Sequence, residues 1–143
     1  MRGKRVCQSV LLLVAVAGGF AATPGIAQIV YVNRDAAGGN TGVDWANAYN
    51  SLQTALQSGW GIEIWVAQGI YTPAPPGGSA AETFALRDGL AVYGGFAGNE
   101  TQRDQRDPSL NVTTLSGDLN GYDLPGWVNM SENSDNLVTA SGV

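Results

Sequence analysis

The segment SGDLNGYD, residues 116–123, holds the most suggestive chemistry of the chain, because Asp118 and Asn120 stand at the first and third positions of a calcium-loop spacing. A loop of EF-hand type surrounds a hard cation with oxygen ligands. It next requires an oxygen ligand at position 5, glycine at position 6 and an acid at position 12. Tyr122, Asp123 and Asn129 occupy those places, so the regular motif fails at all three. A plain Asp/Asn/Gly turn is the favoured reading, and an irregular calcium site on Asp118, Asn120 and Asp123 is the lesser one. The expectation is therefore no metal and no cofactor, with calcium as the single alternative.

Other reactive candidates are weaker. Arg87 and Asp88, in FALRDGLAVYGG, would place a cation and a carboxylate at a groove edge, but Asp88 and Gly89 read more simply as a tight turn with Arg87 solvated. Glycoside hydrolysis needs two carboxylates about 5 to 9.5 Å apart across a sugar site. Glu63 at a strand start, and Asp104 and Asp107 in an arginine-interleaved loop, offer no such pair. Trp60, Trp65, Tyr71, Tyr93 and Trp127 are candidates for stacking on sugar rings, although aromatics in strands more commonly pack along a sheet. No catalytic residue is assigned.

The amino terminus narrows the chemistry further. Arg2, Lys4 and Arg5 precede an apolar run from Val10 to Phe20, too short for a helix that spans a bilayer in about 20 residues. Gly25 and Ala27 then supply small residues before a cut at Ala27/Gln28, which makes residues 1–27 a secretory signal peptide. The expected product, residues 28–143, loses the only lysine, Lys4, and the only cysteine, Cys7, and the chain has no histidine. Four arginines then face twelve acids, a net charge of −8. Such a product cannot build a Ser-His-Asp triad, a cysteine nucleophile, a Schiff base or an ordinary zinc site. An acidic surface without basic clusters also lacks the footprint for nucleic acid or an anionic membrane.

The elements that must position these residues are mostly strands. Ile29–Asn33 reads as a strand, and four more β segments begin at residues 62, 90, 112 and 135. Between the first two, Trp45, Tyr49, Leu52 and Leu56 recur at helical spacing, with Asp44 as N-cap and Gly59 as stop. The prolines and glycines of Tyr71–Ala81 make that stretch a protruding loop. Taking Val66, Val92, Leu115 and Val138 as equivalent gives separations of 26, 23 and 23 residues, with Gly69, Gly95, Gly117 and Gly142 following them. A near-constant spacing with glycine at one phase predicts a stacked solenoid.

The succession YVN, WANAYNSLQTAL, EIWVAQGIYTP, FALRDGLAVYGGFAGNET, QRDPSLNVTTLSGDL and DNLVTASGV resembles the amino-terminal portion of secreted bacterial right-handed parallel β-helix proteins of the pectin-lyase-like kind. The resemblance implies an all-β domain over residues 28–143, with the helix around Trp45 capping its open end and one rung from each β segment. It also implies an incomplete fragment, the first coils of a longer β-helix. Some relatives of that fold cleave acidic polysaccharides with carboxylates, calcium and arginine on middle coils, and none of those positions maps onto this chain. The expected function is a non-catalytic scaffold of a secreted or cell-surface protein, for structure, adhesion or carbohydrate binding, with extracellular polysaccharide or cell-surface components as partners. The alternative is the front of a polysaccharide lyase or glycoside hydrolase whose active site lies beyond residue 143.

Overall fold

The computed structural model describes residues 28–126 and 128–141. The expected signal peptide, residues 1–27, falls outside them, as do Trp127 and Gly142. Among the described residues seven short strands and one short α-helix follow in the order β1 (Ile29–Val32), α1 (Leu52–Gln57), β2 (Glu63–Ala67), β3 (Gly69–Tyr71), β4 (Phe84–Leu86), β5 (Ala91–Phe96), β6 (Thr113–Leu115) and β7 (Val138–Ala140). They form three small parallel sheets, β1-β2-β5, β3-β6 and β4-β7.

Alternation explains the largest sheet. Val30 and Val32 on β1 stand beside Ile64 and Val66 on β2, and these four side chains are essentially inaccessible to water. They meet Tyr71 of β3, Phe84 of β4 and Leu52, Ala55 and Leu56 of α1 in one core. The intervening residues point to the opposite face, where Tyr31, Trp65 and Tyr93 are neighbours in register. Between Trp65 and Ala67 the β2–β5 register slips by one residue. Gly95, with φ 95°, lies in the slipped stretch against Pro108. The bulge brings Phe96 beside Ala67, where its ring stacks on Trp65 at 4.8 Å.

This arrangement corrects the solenoid expectation. The four positions taken as equivalent do not form one column. Val92 aligns with Ile64 instead of Val66, Leu115 pairs with Tyr71 in a second sheet, and Val138 pairs with Phe84 in a third. Strands of three to six residues, joined by connections that range from one residue to more than twenty, give no regular coil of a β-helix among the described residues. The glycines misled for a physical reason, since they serve unlike purposes: Gly69 opens β3 against Arg34, Gly95 sits in a bulge, and Gly117 lies beside Ser134 in a turn.

The capping helix is also corrected. α1 has six residues, and its N-cap is Ser51, whose hydroxyl accepts from the Thr54 amide at 3.3 Å. Upstream, Asn and Asp side chains take over the backbone groups a helix would use. Asp44 accepts from the Asn47 amide at 2.7 Å, and the Asn50 amide group donates to the carbonyls of Asn33, Arg34 and Ala36. The expected apolar stripe is split by β1. Leu52 and Leu56 enter the core, whereas Trp45 packs edge-on against Tyr31 on the other face, and its indole donates to the Glu100 carbonyl.

Candidate functional site

The expected calcium residues come close together, but not all in the expected way. Asp118 folds its own loop. One carboxylate oxygen accepts from the amides of Gly121 and Tyr122 at 2.6 and 3.3 Å, and the other from Asp123 at 3.1 Å. Of these, the Asp123 amide does most to hold the carboxyl below its usual range; desolvation opposes it, and the Gly121, Tyr122 and Asn120 amides add to the lowering. Asn120 turns away: its oxygen accepts from the Gly77 amide at 3.0 Å and its nitrogen donates to the Tyr122 hydroxyl at 3.1 Å. Asp123 accepts from the Asn133 side chain at 2.7 Å. That bond and the Ser134 amide on the Gly117 carbonyl, at 2.9 Å, draw the turn at residues 131–134 against the 118–123 loop.

The same approach brings in Glu132, which sequence reasoning missed. Asp118, Asp123 and Glu132 each offer a carboxylate oxygen, and the three atoms lie within 4.8 Å of one another. Glu132 stands three residues beyond the place where an EF-hand spacing puts its acid. No regular template would have found it.

Arg87 and Asp88 do not form a groove-edge pair. Arg87 reaches back and donates to the carbonyls of Trp60 and Gly61 at 3.2 and 2.6 Å, while Gly89 takes φ 72° in the turn before β5. Arg87 is thus a clamp on the entry to β2, not the solvated residue expected. Glu63 is engaged by Trp65 at 2.9 Å and Arg103 at 3.1 Å, and Arg103 also lies over the Tyr93 ring at 4.8 Å. Asp107 accepts from Ser109 and Leu110 within its own turn.

The aromatic candidates are largely committed to packing. Trp65 and Tyr71 are both 3% exposed. Tyr71 donates to the Ala67 carbonyl, and burial raises its pKa. Trp60 donates to the Tyr49 hydroxyl.

Two recesses are formed by other residues. An apolar one of about 370 Å³ opens on the core beside Leu52, Phe84, Val92 and Val138. A groove of about 610 Å³ runs between α1 and the proline-rich loop, lined by Ser51, Thr54, Gln57, Thr72, Ser79 and Glu82, with the exposed Pro75 ring adding apolar surface. Here the sequence had marked only a protruding loop. No described helix is long and apolar enough to cross a membrane. No family model, curated protein or solved structure matches this chain.

Proposed function

We propose that this chain is an exported, non-catalytic module of a secreted or cell-surface protein that contacts extracellular polysaccharide. The groove between α1 and the Thr72–Glu82 loop carries the reading. Its hydroxyl and amide groups, with the Glu82 carboxylate beside them, suit the hydrogen-bonding pattern of a polyhydroxylated chain, and its exposed Pro75 ring suits the apolar face of a sugar. Export is supported by the charged start, short apolar run and small residues at Gly25 and Ala27.

Expression with the native amino terminus in a secreting bacterial host, followed by amino-terminal sequencing, tests the address; Gln28 as first residue is expected. Binding of the secreted protein to a panel of soluble and insoluble polysaccharides tests the groove. Thr54→Ala with Gln57→Ala should weaken binding to a retained glycan about tenfold. Retention unaffected by that double change, or an intact Met1 in the cytosol, overturns the corresponding half of the proposal.

A further inference from the structure

We infer that Asp118, Asp123 and Glu132 form a binding site for one hard divalent cation, calcium by its chemistry. The inference does not depend on the polysaccharide reading. Proximity of three acids is only its starting point. Glu132 supplies the second observation: both of its carboxylate oxygens are fully buried and neither has a hydrogen-bond donor. One oxygen of Asp123, the side-chain oxygen of Asn133 and the hydroxyl of Ser134 are likewise buried and unpartnered. Unpaired carboxylate oxygens withdrawn from water are costly, and a cation is the partner that relieves several at once.

Among the described residues no cation of the protein's own is such a partner. Arg34 is held at the Ile70 carbonyl, Arg87 at Trp60 and Gly61, Arg103 at Glu63 and Tyr93, and Arg106 at the Gly94 carbonyl. Neither ion pair among the described residues involves the cluster. The amides around Asp118 leave one lone pair open, on the carboxylate oxygen that accepts from Asp123, since each oxygen carries two.

The donor set selects the ion. All donors are oxygens, which disfavours zinc and copper. They come from two irregular segments, a loop and a turn, which suits the variable geometry and six to eight ligands of calcium better than the strict octahedron of magnesium. Bound there, calcium ties residues 118–123 to residues 131–134, just ahead of β7, and so helps hold β7 on β4.

Titration calorimetry of the EDTA-stripped full chain with calcium chloride, paired with thermal melts, tests this. One calcium per chain, a melting point several degrees higher in 1 mM calcium, and weaker binding of magnesium are expected. Glu132→Gln should weaken calcium at least tenfold, whereas Asp104→Asn, in a separate loop, should leave it unchanged. Should Glu132→Gln fail to fold, Asp123→Asn gives the same reading. Absence of saturable calcium binding, binding that survives both substitutions, or equal affinity for magnesium overturns the inference.

Discussion

Replacing Leu52 by alanine separates the helical phase seen in α1 from any other. Leu52 is 2% exposed and packs where α1 meets the sheets. Removing three carbons forfeits about 2.4 kcal/mol of transfer free energy at about 0.8 kcal/mol per methylene. A sealed core adds a cavity penalty that carries the loss toward about 5 kcal/mol. Leu52 instead lines the apolar recess of about 370 Å³, so part of the new space merges with existing space and the loss should be about 2.5 to 3.5 kcal/mol. Gln53 is the contrast. Its side-chain nitrogen donates to the Thr83 carbonyl at 3.1 Å, worth about 1 kcal/mol, but its oxygen is buried without a partner and alanine is the better helix former. Gln53→Ala should therefore cost under about 1 kcal/mol. Urea unfolding followed by tryptophan fluorescence reads both, and with a slope of about 2 kcal/mol per molar the Leu52 variant should unfold at least about 1 M earlier. Equal midpoints for the two variants would refute the assigned phase.

Gly95→Ala should destabilise by about 1 to 3 kcal/mol, because a Cβ at φ 95° would stand 2.7 Å from Pro108 Cγ; an unchanged melting point contradicts the bulge geometry. Glu100 supplies a pH dependence. Partial burial pushes its carboxyl up, but the amides of Ala97, Glu100 itself, Asn99 and Gly98 together outweigh that and lower it. A lowered carboxyl stabilises the fold above its unfolded pKa, and that contribution is lost as the pH falls through the ordinary carboxylate range, about 4, toward the folded value. Glu100→Gln should melt earlier than the parent at pH 7 and approach it below about pH 4; a gap that widens on acidification contradicts the assignment.

Strands with an apolar alternation were legible before the structure. Ile29–Val32, and Glu63–Ala67 within the segment from residue 62, stand where the pattern put them. Their partners were not legible, because parallel pairing joins residues with no local signal between them. Phe84–Leu86 was missed as a strand, as three residues are too few for a period to show. The stripe from Trp45 to Leu56 failed because spacing cannot tell that Asp44, Asn47 and Asn50 will bind the backbone first. At the carboxylate cluster, Asp118 and Asp123 were candidates from a broken calcium-loop spacing that also named Asn120, which turns away. Glu132 was not, since it joins them through the Asn133–Asp123 and Ser134–Gly117 hydrogen bonds instead of through a fixed spacing.

The parallel pairings also set a clock. Partner residues in the four strand pairs lie 34, 28, 44 and 54 positions apart, so each pairing closes a long loop before it gains a contact. Topologies dominated by such distant contacts fold over milliseconds to seconds, far more slowly than helical bundles. The β4–β7 pair cannot form until residue 138 has left the ribosome, 54 residues after its partner Phe84. For a protein that leaves the cell as proposed, that delay has a use. A chain that has not yet closed its sheets is still a thread, and only a thread passes through a narrow export channel.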